Sequence, residues 1–97
     1  MTEGVTLVVH HFVEDYDSWK PVFDDHQSVR ASHGAIRHWV YQAPDDPNDV
    51  VVAVEFPSPE AAKGFMEDPS LRPAMERAGV QGEPTAHMRV EVETKDY

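Results

Sequence analysis

The sequence contains no cysteine, which excludes disulfide bonds, thiolate nucleophiles and zinc–thiolate sites. A secreted domain of 97 residues usually needs disulfides to supplement a thin core, so their absence favours the cytoplasm. Long apolar runs are also missing, and the longest, around 50–54, is far shorter than the roughly 20 residues that cross a bilayer. Residues 1–4 (MTEG) lack the basic start and apolar run of a signal peptide. We therefore expect a cytoplasmic protein.

Basic residues are scarce, since 18 acidic side chains face only 8 lysines and arginines, for a formal net charge of −10. Polyphosphate backbones and anionic lipids bind clustered basic side chains, so neither nucleic acid nor a membrane is an expected partner. The length predicts a single domain over residues 1–97. A chain this short buries only about 60–65% of its unfolded surface, so dimerisation would stabilise it.

Four apolar, β-branched segments predict strands at 5–13, 36–42, 50–56 and 85–93. After the first strand, Asp15 or Asp17 can cap a helix that runs through Ser32 and ends before Gly34. Residues 43–49 have hairpin chemistry, and the start Ser-Pro-Glu at 58–60 predicts a second helix. A short helical piece follows at 71–78, and residues 81–84 are expected to form a turn.

The order of these segments is βαββαβ, which predicts a ferredoxin-like α+β fold. Right-handed crossovers give a four-stranded antiparallel sheet of order 4-1-3-2 with both helices on one face. Strands one and three are apolar on both of their faces, whereas a sheet with one face in water should alternate cleanly. The second face must therefore be covered, and the same face of a second copy is the simplest cover. We expect a homodimer.

Three stretches resemble the dimeric α+β-barrel superfamily, in particular its antibiotic-biosynthesis-monooxygenase-like and polyketide-cyclase-like small proteins. They are residues 11–13 running into 15–20 (DYDSWK), Gly34 at the start of the second strand, and 55–58 leading to Phe65 and Leu71. The resemblance covers nearly the whole chain. The segment 15–20 is similar to a branch often labelled cyclase, whereas the remaining pattern is shared by proteins of very different activity.

The resemblance implies a barrel of two facing sheets with the helices outside, and an apolar pocket between sheet and helices in each subunit. Members of the superfamily include cofactor-free oxygenases of polyketide anthrones, heme-degrading enzymes, polyketide cyclases and lactone isomerases. The heme-degrading members have a tryptophan at the end of the third strand, where this chain has Phe56. That departure disfavours heme chemistry.

Six histidines in a chain without cysteine are the residues best suited to chemistry, because histidine exchanges protons near neutral pH. Alternation places His11 on the face expected to meet the helices and His10 on the opposite face. His26 lies on the apolar stripe of the first helix, and Arg30 beside it could hold an anionic oxygen. We predict His11, His26 and Arg30 as catalytic residues. The alternatives are inert core histidines and an arginine paired with Asp24 or Asp25.

A large set of aromatic and histidine side chains suits a small hydrophobic or aromatic substrate, although plain core packing also accounts for many of them. Trp39 and Tyr41 share a strand face opposite to His38, and the pattern leaves open which face meets the helices. The predicted substrate-binding residues are Trp19, Phe23, His38, Trp39, Tyr41, Phe56, Phe65 and His87.

No metal-ligand spacing, nucleophile elbow or phosphate-binding loop occurs, so neither a metal nor an organic cofactor is expected. The leading hypothesis is a cofactor-free, polyketide-cyclase-like enzyme of secondary metabolism that uses histidine acid/base catalysis for cyclisation, dehydration or isomerisation. One alternative is a cofactor-independent monooxygenase in which the substrate anion reacts with dioxygen. Another is a non-catalytic, ligand-binding accessory dimer.

Overall fold

The computed structural model describes residues 4–97 and contains one four-stranded sheet with four helices. Residues 1–3, part of the segment expected not to be a signal peptide, lie outside the described residues. The strands are β1 (Val5–Val13), β2 (Arg37–Ala43), β3 (Asp46–Phe56) and β4 (Val80–Arg89), and the helices are α1 (Tyr16–Asp25), α2 (Gln27–Ser32), α3 (Pro59–Met66) and α4 (Leu71–Arg77). All pairings are antiparallel in the order β2-β3-β1-β4, so the predicted α+β ferredoxin-like fold is confirmed.

Alternation along β1 divides the sheet into a helix face and an open face. On the helix face β1 places Val5, Leu7, Val9, His11 and Val13, most of them buried. The partners of His11, Leu7 and Val9 on β3 are Val50, Val54 and Val52, which form the core with them. The open face carries the other β1 residues, opposite Glu55, Ala53, Val51 and Asp49. The helix face is apolar as the sequence predicts, whereas the open face mixes apolar residues such as Val8 and Val51 with Glu55 and Asp49.

Two helix starts follow the predicted capping chemistry. Asp15 is the N-cap of α1, and its carboxylate accepts a hydrogen bond from the Ser18 backbone N–H at 3.0 Å. Ser58 caps α3 by accepting from the Ala61 backbone N–H at 3.1 Å, with Pro59 at the first helical position.

The predicted single helix through Ser32 is wrong, because the chain breaks into α1 and α2 at His26. The His26 N–H donates to both Val22 and Phe23, and the His26 carbonyl accepts from both Val29 and Arg30. The side chain of His26 bonds to Ser70 in the loop between α3 and α4, a long-range contact that local periodicity does not encode. At the break, the His26 side chain therefore reaches from the end of α1 to the α3–α4 loop.

The predicted last strand is shifted, since β4 spans Val80–Arg89 rather than 85–93, and residues 90–97 form no strand. The expected turn at 81–84 instead belongs to β4, where the register with β1 slips between His10 and Phe12. Glycine and proline in this segment sit at the bulge, where a strand accepts residues that also favour turns. The hairpin between β2 and β3 is likewise tighter than expected, because β3 already begins at Asp46.

Gly34 ends α2 with a φ of +94°, outside the backbone region that side chains favour. A Cβ at this position would also lie 3.3 Å from Cγ of Pro57, at the β3–α3 connection. Gly82 has a φ of +68°, but a Cβ there would meet nothing within 4 Å. Substitutions at Gly34 and Gly82 therefore share the backbone strain, but only a substitution at Gly34 adds a steric contact.

We expect Gly34→Ala to lower the free energy of unfolding by more than Gly82→Ala does, because only the first also crowds Pro57. The backbone cost common to both is about 1–2 kcal/mol. Urea unfolding monitored by tryptophan fluorescence measures the difference. Equal losses in the two variants would show that Pro57 moves aside at no cost.

Candidate functional site

A small cavity lies between the helix face of the sheet and the helices, with a volume of about 70 Å³. Its walls are almost entirely apolar, and the three residues predicted as catalytic supply its ionisable groups: His11, His26 and Arg30. Of the predicted substrate-binding residues, Trp19, Phe23 and Phe65 also line it. The fold thus brings these six side chains together from β1, α1, α2, α3 and the break at residue 26.

His11 is the most unusual polar group of the site. It is 5% exposed, and neither of its ring nitrogens has a hydrogen-bond partner. Burial, with a smaller contribution from neighbouring His10, lowers the pKa of His11 to about 4, so the ring is neutral at physiological pH. Its ring centroid lies 5.6 Å from that of Trp19. Because buried polar atoms are nearly always paired, the two unpaired nitrogens make His11 a candidate for contact with a polar ligand atom.

Arg30 is 3% exposed and places its guanidinium carbon 3.7 Å from the centre of the Phe23 ring. One terminal nitrogen donates to the Phe23 carbonyl at 2.9 Å, whereas Nε is buried without a partner. Burial lowers the pKa of Arg30 to about 10, and Asp24 partly opposes that shift, so the side chain stays cationic. The predicted alternative of a salt bridge with Asp24 or Asp25 does not form, since Asp24 pairs with Lys20. A buried cation with an unused donor favours an anionic oxygen.

His26 lines the cavity, but its hydrogen bond is to a residue that does not. Its Nε2 meets the Ser70 hydroxyl at 2.9 Å. Burial lowers the pKa of His26, as do Arg30 and Arg77, while Asp68 raises it. The neutral imidazole is thereby favoured beside the cavity. Asp68 and Ser70 were not predicted from the sequence, because nothing in their local pattern indicates a contact with residue 26.

His38 lies on the helix face of β2, which settles the strand orientation that the sequence left open. Its ring meets the edge of Phe23 at a centroid distance of 5.0 Å, behind the cavity wall. Burial lowers the pKa of His38, and Arg30 and Lys20 lower it further against the opposing effect of Asp24. His38 therefore supports Phe23 without lining the cavity in this structure.

Besides His38, four further predicted substrate-binding residues do not line the cavity. Trp39 and Tyr41 are on the open face, opposite Ala53 and Val51, and His87 is on the same face opposite Val8. Phe56 is fully buried and packs on Phe65 at a centroid distance of 5.7 Å, as a core residue beneath α3. The strand face decides the positions of Trp39, Tyr41 and His87, and residue type alone does not reveal it.

An open groove of about 680 Å³ adjoins the cavity beside α4 and β4. Cavity and groove share a set of wall residues, namely Leu7, Val9, Phe65, Leu71, Met75 and Val80. The sequence places Leu71 and Met75 on one side of a short helix, but it does not show that this side separates two spaces.

Within residues 4–97, no group of three or more histidine and carboxylate side chains is arranged to hold a metal ion. The same part of the chain has no helix that is both long and apolar enough to cross a bilayer.

We expect His11→Leu to stabilise the fold at pH 7 by about 1–3 kcal/mol, because it removes two buried, unpaired polar atoms. The native pKa of about 4 lies below the unfolded value of 6.5, so the unfolded wild-type chain binds a proton first as the pH falls. The stability of the wild type should therefore fall between those two values, by up to about 3 kcal/mol, relative to the variant.

Urea titrations of both proteins from pH 7.5 to pH 4 test this expectation. His87→Leu is the matched control, because His87 is an exposed histidine on the open face of the sheet. A stability difference between wild type and His11→Leu that stays constant with pH would contradict the assignment.

No protein-family model and no curated protein sequence matches the chain. Solved structures do match over nearly its whole length. SnoaB, a cofactor-independent oxygenase from Streptomyces nogalater, is 18% identical over 95% of this chain and 96% of its own, with a TM-score of 0.80. A proposed antibiotic biosynthesis monooxygenase from Bordetella bronchiseptica is 8% identical over 94% and 99% of the two chains, with a TM-score of 0.81.

A proposed antibiotic biosynthesis monooxygenase from Nitrosomonas europaea is 13% identical over 95% of this chain and 93% of its own, with a TM-score of 0.75. At such identities the likeness is one of fold, and it agrees with the resemblance seen in the sequence. The chain has the α+β ferredoxin-like fold of the antibiotic-biosynthesis-monooxygenase-like proteins.

Proposed function

We propose that the protein is a cofactor-independent oxygenase of a small, conjugated, ionisable substrate such as a polyketide anthrone. The observation that carries this proposal is the pairing of a neutral, unbonded histidine with a buried cation in an apolar cavity. That arrangement suits removal of a proton from a substrate and stabilisation of the resulting anion. The likeness to SnoaB, a cofactor-independent oxygenase, supports the same chemistry.

In the proposed mechanism, His11 or His26 accepts a proton from an acidic carbon or hydroxyl of the substrate. The anion is held by Arg30, whose Nε has no other acceptor. Aromatic walls of Trp19 and Phe23, stacked at 4.8 Å, would hold a planar ring system. Because the cavity is apolar, water competes little with these interactions.

Dioxygen then takes electrons from the substrate anion and forms a carbon–oxygen bond, giving a peroxide that the imidazolium protonates. Loss of the remaining hydrogen on that carbon, with cleavage of the O–O bond, yields a carbonyl group and water. Overall, one methylene group and one dioxygen molecule give one carbonyl and one water. The substrate itself is the reductant.

The cyclase hypothesis uses the same side chains without oxygen, with histidine as proton carrier and Arg30 as oxyanion holder. The structural likenesses favour the oxygenase, since their names describe monooxygenases and an oxygenase. The accessory-dimer hypothesis leaves the unpaired nitrogens of His11 without a chemical role. We therefore place the oxygenase first.

The cavity of about 70 Å³ holds about two water molecules, whereas small-molecule sites usually occupy several hundred Å³. The adjoining groove supplies the missing space if Leu71 and Met75 on α4 move outward. A seven-residue helix bounded by Pro69 and Gly79 is well suited to such a shift. We propose that the substrate enters between α4 and β4.

We also propose that a second copy of the chain covers the open face of the sheet. Phe12, Trp39 and Tyr41 are 48%, 38% and 55% exposed there, which is unusual for a lone soluble domain. Arg37 lies on this face with Glu55, so the same surface also carries charges of both signs. A homodimer would enclose these side chains between two sheets.

We expect His11→Leu to lower kcat by about 10²-fold, the low end for loss of a general base, because His26 remains as a second proton acceptor. Arg30→Gln should lower kcat by about 10²–10³-fold, because the substrate anion loses its cation. Oxygen uptake with an anthrone probe such as dithranol, followed in an oxygen electrode, measures both rates. Lys63→Gln is the matched control and should keep wild-type activity, because it removes an exposed cation of α3 that lies outside the cavity and the open face.

Turnover under nitrogen distinguishes the enzyme classes. The oxygenase requires oxygen and places one atom of labelled dioxygen in the product carbonyl. Undiminished turnover without oxygen would reject it in favour of the cyclase. Binding without any conversion would favour the accessory-dimer hypothesis.

Light scattering at micromolar concentration should give twice the mass of one chain. Trp39→Glu should shift the protein toward monomer, because it places a charge in the proposed interface. Met66→Glu is the matched control, since Met66 is 40% exposed on α3 rather than on the sheet. A wild-type monomer, or equal dissociation of both variants, would exclude this interface.

A further inference from the structure

A chain of hydrogen bonds runs from the cavity wall to the surface through the α3–α4 loop. His26 Nε2 meets the Ser70 hydroxyl at 2.9 Å, and the Ser70 hydroxyl meets Asp68 Oδ1 at 2.6 Å. Asp68 Oδ1 also accepts from the Ser70 backbone N–H at 2.8 Å, and Oδ2 meets His33 Nε2 at 2.8 Å. The chain joins the break between α1 and α2, the end of α2 and the loop before α4.

The position of each proton follows from the donors and acceptors available. Hydrogen bonds from His33 and then Ser70 lower the pKa of Asp68 well below its usual range, so its carboxylate only accepts. The short contact with Asp68 therefore takes the single proton of Ser70. Ser70 has no proton left for His26, so Nε2 of His26 must be the donor. Neutral His26 then carries its lone pair on Nδ1.

The free nitrogen of His26 is available for chemistry. Nδ1 makes no hydrogen bond. It is also not among the side-chain atoms of residues 4–97 that are both fully buried and without a partner, so this nitrogen is not fully buried. The ring itself forms part of the cavity wall. A proton accepted at Nδ1 would make an imidazolium whose Nε2–H still points at Ser70 and, beyond it, at the Asp68 carboxylate.

We propose that Ser70 and Asp68 are positioning residues for His26, which they hold in the Nε2–H form so that Nδ1 accepts a proton at the cavity. The proposal deepens the proposed oxygenase function and rests on it for its catalytic meaning. The orienting carboxylate acts through a serine hydroxyl rather than by direct contact with the histidine. It stabilises the imidazolium formed during proton transfer, while the neutral ring is already correctly oriented.

The charges around His26 make this support necessary. Arg30 from α2 and Arg77 from α4 both lower its pKa, and burial lowers it more than either. Asp68 from the loop is the group that opposes them. Without the carboxylate, an imidazolium at this position would face two arginines with no compensating anion, so proton transfer to His26 would be less favourable.

His33 holds the other end of the carboxylate. Its ring packs against Gly64 of α3, where a Cβ would lie 3.3 Å from His33 Nδ1. The aromatic edge of Phe65 lies beside the same ring, at a centroid distance of 6.1 Å. His33 therefore orients the Asp68 carboxylate through Oδ2, while the other oxygen, Oδ1, is connected to His26 through Ser70.

The test is an NMR titration of the His26 ring nitrogens in the whole protein, with Ser70→Ala and Asp68→Asn as variants. Both should lower the pKa of His26, since one removes the hydrogen-bond acceptor and the other removes the negative charge. Ser70→Thr keeps the hydroxyl and should restore the wild-type titration. Ser58→Ala is the matched control, because it deletes the hydroxyl of the serine at the start of α3, which bonds to the Ala61 backbone N–H and not to His26.

An unchanged His26 titration in Ser70→Ala and Asp68→Asn would overturn the proposal, as would an equal shift in Ser58→Ala. With a turnover assay, the low-pH limb of kcat should move with the pKa of His26 while KM stays within about twofold. If the pKa of His26 shifts in the variants but the low-pH limb of kcat does not, the positioning role is also rejected. Absence of oxygen uptake by the wild type rejects the oxygenase separately, since the titration is measured without substrate.

Discussion

Burial of polar groups between a sheet and its helices is the constraint on which the site depends. His11 and Arg30 lie where apolar side chains would pack at lower cost, and both ring nitrogens of His11 and the Nε of Arg30 have no partner. Buried polar groups without partners are rare in folded proteins, so these nitrogens distinguish the site from the rest of the core. The same burial keeps His11 neutral while Arg30 stays charged, because their ordinary pKa values start so far apart. A base and a cation thus coexist in one small space.

The helix layer is held together by polar contacts as well as by the core. α1 and α2 are separate helices because the chain tightens at His26, and that turn directs the His26 ring toward the α3–α4 loop. Asp68 and Ser70 connect this ring to His33, so four residues from three segments hold one orientation. On the far side of the loop, α4 forms the thin wall between cavity and groove. The residues that hold the loop are therefore different from those of α4 that separate the cavity from the groove.

The two faces of the sheet carry different residues. Valines and leucine on the helix face form the core, while Trp39 and Tyr41 stand on the open face with His87. Trp39 and Tyr41, which were expected to bind substrate, therefore lie on the opposite face of the sheet from the cavity.

The sequence by itself determined the strand order and the helix-facing position of His11, because alternation, capping residues and crossover handedness are local or nearly local rules. The sequence also identified His26 and Arg30 as candidate site residues, and both line the cavity. The tertiary structure alone decided which face of β2 meets the helices, that residues 81–84 bulge within β4, and that the chain breaks at His26. It also decided that Ser70 and Asp68 reach His26. These features depend on contacts between residues 44 positions apart or on strand register, which a pattern along one chain does not carry.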